Sequence, residues 1–527
     1  MTSDPDHPLL RFVRDDAAEH TFLRVNLAQS GPAVPETLLG NFLEHLTFAM
    51  VGGLSAQLLS NPTFARKHNL TDRQLQQLLT NGQTLVQLYL SGGNPAVLRH
   101  GWRATPLCTG FGVEVLDDAT AQRIPFGWGP MGYPGAVAAS AGRIGGAVRL
   151  QGGAWPADPA QRWPVVEDGP AGIRQGLFLP VKRCLGYKGD LWVRIGTTNP
   201  AEHGEVEVGF RRRVATPDGR RQAGEILASA RIGVEGAEWN KLPFRLDLQE
   251  GQVAFGEPVD FYLRWLPRST AGLHLLVDRA FLYPQDEDDG LDPEVVQLVR
   301  ASTMPLLRWP GGNFVSYYHW RDGVGPLDLR PTVPNHAWGG LEYNLFGTDE
   351  FIRFCRKIGA QPHITVNSGT GTSEEAAAWV EYCNGDESTP MGRLRARNGH
   401  PRPYDVSLWE VGNEVFGTWQ GGYHGSDENA RRFAEFAPAM RGASPIPIEL
   451  IACGNNFDFA EPGLGFDHTN ADRRWHDQLL KQAAGQIDYI SLHSLPVNDL
   501  LLENLTDDQA HNAVLAQVTT WERRLLP

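Results

Sequence analysis

The sequence predicts an α/β protein in which a (β/α)8 TIM-type barrel carries an inserted all-β sandwich domain. From residue 290 onward, helical patterns alternate with short apolar strands, which indicates βα units around a parallel sheet. Between residues 95 and 285 helical periodicity fades, and seven short β-rich runs alternate with glycine and proline, as in a β-sandwich. At 527 residues, the chain is also too long for one hydrophobic core.

These patterns divide the chain into three regions. Residues 20–85 contain the first barrel strand, within Thr37–Leu46, followed by a loop and a helix over 71–89. Residues 95–285 form the inserted sandwich, and residues 290–527 form the remainder of the barrel. Only about six barrel strands are present, so we expect the barrel to be incomplete at its C-terminus; these strands end near residues 45, 310, 367, 414, 457 and 493.

The composition narrows the range of partners. A net charge of −14 and the lack of a sustained lysine or arginine run disfavour nucleic acid and membrane surfaces. No apolar stretch reaches the ~18 residues of a membrane-spanning helix, and the N-terminus lacks the apolar core of a signal peptide. The five scattered cysteines form no CxxC pair, and no strand precedes a nucleotide-binding glycine motif. We therefore expect a cytoplasmic protein with no metal and no organic cofactor.

Polar side chains recur where the predicted barrel strands end. Because the carboxyl ends of barrel strands meet at one mouth, we expect these side chains to lie together. The nearby tryptophans at positions 309, 338 and 419 suit a ligand that is rich in hydroxyl groups, since aromatic faces contact the apolar face of a sugar ring. Five strand ends carry such residues: Glu44, Arg308 with Asn313, Asn367, Asn413 with Glu414, and His493.

Each of these residues also has a purely structural interpretation. Glu44 could cap a helix, and Arg308 could be the ion-pair partner of Glu414 or of Glu44. A lone histidine such as His493 is more often a hydrogen-bonded core residue, and Trp338 alone is more often a packing residue. Their recurrence at five separate strand ends favours a functional site.

Five segments of the sequence resemble glycoside hydrolase family 51, the α-L-arabinofuranosidase family. The stretch between the first two barrel strands is similar to the carbohydrate-binding-like sandwich that some members insert there. The five segments are GNFLEH at 40–45, GGLSAQLLSNPTF at 52–64, LRWPGGNFVSYYHWRDGVGP at 307–326, VNSGTGTSEEAAAWVEYCN at 366–384 and LWEVGNEVFGTWQGG at 408–422.

The resemblance implies a retaining glycosidase that releases terminal α-L-arabinofuranosyl residues from arabino-oligosaccharides, and assembly as a trimer or hexamer. It implies that Glu414 is the general acid/base, with the raised pKa that this role needs. It further implies that Asn413 binds the sugar hydroxyl next to the anomeric carbon. Trp338 would wall the arabinose subsite, His493 would lie near the nucleophile, and the subsite would be lined by Glu44, Arg308 and Asn313.

One departure from the family concerns the second catalytic carboxylate. A retaining mechanism needs a nucleophile about 5–5.5 Å from the acid/base, and the family places it at the end of strand seven. Here Glu410 lies mid-strand, Glu522 lies in a helical pattern beside two arginines, and no later strand precedes Pro527. We therefore expect a shortened form of a longer enzyme, with little or no hydrolysis by this chain.

Other functions stay open at this stage. Leu495 stands where family members often carry tyrosine, so the sugar preference is open. A β-xylosidase or endoglucanase on the same site is one alternative. A carbohydrate-binding protein without catalysis is the other.

Overall fold

The computed structural model describes most of the predicted sandwich and most of the predicted barrel. The predicted helix over 71–89 and the helical pattern at 507–527 lie outside the described residues. Those residues are 36–45, 49–50, 53–59, 61–64, 129–131, 136–139, 143, 147–151, 170–216, 218–268, 273–338, 341–455 and 474–493.

Strands and helices are numbered here in chain order. Within the described residues they are β1 (Asn41–Phe42), β2 (Gly129–Met131), β3 (Ala136–Ala139), β4 (Ala147–Gln151), β5 (Gly172–Phe178), β6 (Gly186–Ile195), β7 (His203–Arg212), β8 (Ile226–Glu235), β9 (Asn240–Asp247), β10 (Pro258–Pro267), β11 (His274–Pro284), α1 (Pro293–Ala301), β12 (Leu306–Trp309), β13 (Val333–Pro334), β14 (Leu341–Glu342), α2 (Thr348–Ile358), β15 (Gln361–Val366), α3 (Ser373–Asn384), α4 (Pro390–Arg397), β16 (Leu408–Val411), α5 (Ser426–Gly442), β17 (Glu449–Cys453), α6 (Trp475–Ala483) and β18 (Tyr489–Ser491).

The barrel part is a six-stranded parallel sheet in the order β1-β12-β15-β16-β17-β18. In the sheet, each of these six strands pairs with the barrel strand that precedes it in the chain. At least one helix lies between consecutive barrel strands from β12 onward. This order is that of a (β/α) barrel wall, and its strands are the six that the sequence predicted. The four residues of β16 are all buried, as expected of a strand covered on both faces.

The first barrel strand is shorter than predicted. Over Thr37–Leu46, only Asn41 and Phe42 pair with β12, while Glu36–Leu39 form a 3-10 turn. Gly40 joins the two, and a Cβ atom at this position would lie 3.1 Å from the Leu306 Cβ. Glycine at this position lets the chain approach Leu306 closely where the turn meets the strand.

Helix ends follow local capping chemistry. Asp292 Oδ1 accepts hydrogen bonds from the backbone N–H groups of Glu294 and Val295 at the start of α1. Thr372 Oγ1 accepts one from the N–H of Glu375 at the start of α3, 3.2 Å away. Capping at these points fixes where the chain leaves the sheet.

An aromatic cluster fills the space between the barrel strands and their helices. Trp379 of α3 packs edge-on against Trp309 and Trp409, with ring centroids 5.9 and 6.1 Å apart, and stacks on Trp320 at 6.1 Å. All four indoles are at most 2% exposed. Such pairs add about 0.5–1.5 kcal/mol each beyond their buried area, so this cluster holds α3 firmly on β12 and β16.

The inserted part is a sandwich of two five-stranded sheets, β2-β5-β10-β7-β8 and β3-β4-β11-β6-β9. The strand pairs in both sheets are antiparallel. The inner faces share one core that includes Val193, Val208, Phe261, Trp265 and Leu282, all fully buried. The seven runs predicted from sequence correspond to β4–β7 and β9–β11, whereas β2, β3 and β8 were not predicted. Where each region of the chain begins and ends stays a prediction.

The sandwich packs directly against the barrel. Trp192 Nε1 of β6 donates to Asp328 Oδ2 at 2.6 Å, in the loop between β12 and α2. The segment before the sandwich runs along β11, where Leu58 N donates to Leu282 O at 2.9 Å. Phe281 completes an apolar contact with residues of the β12–α2 loop. The sandwich therefore supports the loop that carries Trp338.

Candidate active site

The predicted site residues gather at the carboxyl ends of the barrel strands. Glu44 follows β1, Arg308 lies in β12, and His493 follows β18. Asn413 and Glu414 follow β16 directly, and Trp338 reaches Glu44 from the β12–α2 loop. Asn313, the remaining member, starts a 3-10 helix after β12, and its backbone carbonyl accepts a bond from Gln420 Nε2 at 3.5 Å.

Glu414 is held by two donors in the turn after β16. Its Oε1 lies 3.0 Å from His493 Nδ1, and its Oε2 accepts a hydrogen bond from Trp419 Nε1 at 3.0 Å. Its φ of 45° is in the left-handed region, which is uncommon for a residue with a side chain and costs on the order of 1–3 kcal/mol. Gly412 makes the turn possible, because a Cβ there would overlap the Ser368 hydroxyl. The backbone therefore presents the carboxyl group at the mouth.

The pKa of Glu414 moves in the direction opposite to the one expected from sequence. Burial alone would raise this pKa, but several interactions together outweigh it, first among them the hydrogen bond and charge of His493. Trp419 and the charge of Arg308 add to the effect, so the pKa lies below the ordinary 4.5. In the ligand-free protein the group is therefore a carboxylate at neutral pH, and the expectation of a raised pKa is wrong for this state.

Glu44 is buried at the opposite side of the mouth, with 8% of its surface exposed. Its Oε1 accepts hydrogen bonds from Trp338 Nε1 at 2.7 Å and from Phe314 N at 3.0 Å. Burial raises the pKa of Glu44 even though both donors and Arg308 oppose the shift. Because Phe314 belongs to the 3-10 helix after β12, Glu44 does cap a helix, and it contacts the tryptophan of the site as well.

Arg308 does not pair with Glu414 or Glu44, which were the two partners considered from the sequence. Its Nε donates to Glu410 Oε2 in a short ion pair, and its Nη2 donates to Asn413 Oδ1 at 2.9 Å. Glu410 was interpreted as an ordinary strand residue, yet its carboxylate is fully buried in the barrel. Burial alone would raise the pKa of Glu410, but the charge of Arg308, followed by His363, holds it far below its usual range.

A histidine network positions Trp338. His45 Nε2 accepts a hydrogen bond from Trp309 Nε1 at 3.0 Å, so the ring proton is on Nδ1, which donates to Glu342 Oε2 at 2.7 Å. Asn335 Nδ2 donates to His45 O, and Asn335 Oδ1 accepts from Trp338 N, both at 3.0 Å. The Trp338 side chain remains 39% exposed, as a wall of a binding site should be.

Several members of this site were missed from the sequence. Asn367 was expected to face the mouth, but its Oδ1 accepts from the N–H groups of Gly369 and Thr370 and so braces the loop. His45 was not predicted although it adjoins Glu44, and Glu410, set aside as a mid-strand residue, lies three residues before Asn413. Trp419 was noted only as a nearby aromatic, and its position five residues after Glu414 is the signal that could have identified it as a donor.

The described part of the chain contains neither a metal-binding cluster nor a membrane-spanning helix. In the described ranges, no group of three or more histidine, cysteine, aspartate or glutamate side chains could hold a metal ion. None of the helices described is both long and apolar enough to cross a lipid bilayer.

The comparisons with known proteins concern mainly this barrel. The family described as "Alpha-L-arabinofuranosidase 1 domain" matches residues 299–488, a range that contains four of the six strands around the mouth and ends just before β18. Alpha-L-arabinofuranosidase C of Emericella nidulans is 39% identical over 42% of this chain and 44% of its own length. Intracellular exo-alpha-(1->5)-L-arabinofuranosidase 1 of Bacillus subtilis is 37% identical over 40% of each chain.

The chain is similar, over its barrel, to the α-L-arabinofuranosidase domain family. It spans less than half the length of these two curated relatives. The arabinose-bound structure of MgGH51 α-L-arabinofuranosidase aligns with 82% of this chain and 60% of its own, with a TM-score of 0.58 and 19% identity. This likeness extends over both the barrel and the sandwich and confirms the predicted fold class.

Proposed function

We propose that the chain carries the active site of a retaining glycoside hydrolase that releases terminal α-L-arabinofuranosyl residues from arabino-oligosaccharides. The observation that carries the proposal is Glu414, held between His493 and Trp419 at the mouth of a barrel that is similar to the α-L-arabinofuranosidase domain family. The names of the curated relatives support the same reaction.

Glu414 is the general acid/base in this proposal. It must give a proton to the leaving oxygen and later take one from water. His493 lies 3.0 Å from one of its oxygens, while Trp419 holds the other oxygen in place. When a sugar covers the mouth and excludes water, burial of Glu414 increases, and increased burial raises the pKa of a carboxyl group toward that of a donor.

The arabinose subsite lies between Glu44 and Asn413. The Glu44 carboxylate accepts from sugar hydroxyl groups, and Trp338 faces the ring beside it. Asn313 lies next to Phe314, whose N–H group holds the Glu44 carboxylate, and it lines the same subsite. We assign the nucleophile to none of the described residues, because Glu410 is fully buried in an ion pair and Glu44 is held by its two donors.

The proposal extends to the location and the assembly of the protein. The intracellular Bacillus subtilis relative supports a cytoplasmic location. Assembly as a trimer or hexamer is supported by the family resemblance. The partner is an arabinose-containing oligosaccharide, and no cofactor enters the mechanism.

Binding measurements test the identity of the proposed substrate independently of hydrolysis. Calorimetric titration with methyl α-L-arabinofuranoside, β-D-xyloside and β-D-glucoside should give binding for the arabinofuranoside alone. A preference for the xyloside would replace the proposal with a β-xylosidase. Binding of oligosaccharide without turnover would favour a carbohydrate-binding protein or the predicted low hydrolysis by this 527-residue chain.

Turnover tests the role of Glu414. Glu414→Gln should lower any hydrolysis of arabino-oligosaccharides by about 10²–10⁴-fold, because the leaving oxygen then departs without a proton. An aryl arabinofuranoside with an activated leaving group should lose much less in its first step. Glu375→Gln is the matched control, because Glu375 also pairs with a histidine, His319 at 2.9 Å, and touches no proposed site residue. Equal losses in both variants would remove Glu414 from the mechanism.

A further inference from the structure

Glu410 belongs to a polar layer inside the barrel, directly below the mouth. The strand register places Arg308 beside His363, and Thr365 beside Glu410. Since residues two apart in a strand share a face, all four side chains lie on the same face of the sheet. Glu410 Oε2 accepts from Arg308 Nε and from Thr365 Oγ1 at 3.0 Å, and it lies 3.4 Å from His363 Nε2. The carboxylate is therefore fixed from three sides.

The fixed guanidinium determines which way the Asn413 amide faces. A guanidinium group has five donors and no acceptor, so the Asn413 atom that Arg308 Nη2 contacts at 2.9 Å has to be the carbonyl oxygen. The amide nitrogen of Asn413 is then directed away from Arg308. Asn413 is 1% exposed, and its Nδ2 has no hydrogen-bond partner among the described residues. A buried donor left without a partner is unfavourable, so the geometry reserves Nδ2 for an acceptor on a ligand.

We propose that Glu410 is a positioning residue of the sugar site, which fixes Arg308 and through it aims the Asn413 amide N–H at a ligand hydroxyl oxygen. The proposal rests on the proposed function for the identity of that ligand. Glu410 acts through Arg308 in this proposal, since its Oε2 is engaged by Arg308 and Thr365 inside the barrel. Its effect passes through one ion pair and one hydrogen bond.

When the Glu410 carboxylate is removed, Arg308 can interact with other carboxylates of the site. Its charge already acts on both Glu44 and Glu414. Without the Glu410 charge, the guanidinium is expected to rotate toward the mouth and to release the Asn413 carbonyl. The amide is then free to flip, and the Arg308 charge acts on Glu414 without compensation. Both consequences can be measured.

The test compares Glu410→Gln with the wild-type chain by crystallography and by calorimetry with methyl α-L-arabinofuranoside. We expect Arg308 to leave its wild-type position, Asn413 to lose its single orientation, and the affinity to fall about ten- to a hundredfold. The titration of Glu414, followed by NMR of ¹³C-labelled glutamate, should shift to lower pH. Thr365→Val removes one bond to Glu410 at nearly constant volume, so it should weaken affinity in the same direction by less.

Glu257→Gln is the matched control. Glu257 pairs with the fully buried Arg212 in the sandwich, so this variant also removes a carboxylate from a buried arginine. It should lower stability and leave the affinity unchanged. The proposal is overturned if Arg308 and Asn413 keep their positions in Glu410→Gln, or if Glu257→Gln costs as much affinity. If the wild-type chain binds no arabinofuranoside, the proposed substrate fails, while the two crystal structures still decide whether Glu410 positions Arg308 and Asn413.

Discussion

A substitution at Gly312 tests how closely the backbone packs against the Glu44 carboxyl group at the mouth. Its φ is +55°, and a Cβ atom built there would overlap the Glu44 carboxyl group. In Gly312→Ala the backbone, with φ 55° and ψ −157°, lies in a region that essentially only glycine occupies and costs about 1–3 kcal/mol. Displacing Glu44 from Phe314 N and Trp338 Nε1 adds about 1–3 kcal/mol, because a buried carboxylate then loses its donors. We expect a total loss of about 2–6 kcal/mol.

Gly359→Ala is a control for a glycine with positive φ and no steric overlap, and with a ψ of 21° its backbone is in the left-handed helical region. Gly359 ends α2 with a φ of +79°, and a Cβ atom there would meet nothing within 4 Å. This variant should therefore show the backbone cost alone, about 1–2 kcal/mol. Urea unfolding gives both free energies, and calorimetry gives the affinity for methyl α-L-arabinofuranoside, which only Gly312→Ala should weaken. Equal free energies and equal affinities in the two variants would refute the overlap with Glu44 as the reason for glycine at this position.

Three further predictions follow from single contacts. Trp419→Phe removes a donor from Glu414, so the pKa of that carboxyl should rise toward its ordinary value, as NMR titration of ¹³C-labelled glutamate can show. Trp192→Phe removes the hydrogen bond to Asp328 that joins the sandwich to the barrel. Urea unfolding should show that the free energy of unfolding falls by about 1–3 kcal/mol. An unchanged free energy would mean that this bond does not stabilise the contact. The pKa of Glu410 is depressed by folding, so its stabilising contribution is complete above pH 4.5 and declines as the pH falls below that value. Wild type should therefore lose its stability advantage over Glu410→Gln in acid, and an advantage that does not change with pH would contradict the ion pair.

The sequence predicted elements best where one pattern repeats. Six barrel strands and five of their helices have clear periods, and the structure contains all of them. Helix α4 was missed because its eight residues include only a few apolar side chains, and β8 was missed because alanine, serine and glycine occupy much of its alternation. Both elements are specified by tertiary packing more than by local pattern.

The sequence predicted those site residues that stand at the ends of barrel strands. Apart from Asn367, which braces a loop, the predicted residues lie at or contact the mouth, because barrel topology brings the carboxyl ends of the strands together. The ion pair of Arg308 and Glu410 could not be predicted in the same way. It joins residues 102 positions apart, from strands that are not neighbours in the sheet. A charged residue within an apolar strand is informative only when the strand order is known.

The buried pair of Arg308 and Glu410 is better explained by orientation than by stability. Removing two charges from water costs several kcal/mol per ion, and an apolar pair of similar volume is often as stable or more so. Stability alone therefore does not favour a guanidinium and a carboxylate in this layer of the barrel. An apolar pair could not, however, hold the Asn413 carbonyl or leave its N–H group directed at the mouth. The polar layer below the mouth thus gives the Asn413 amide one orientation.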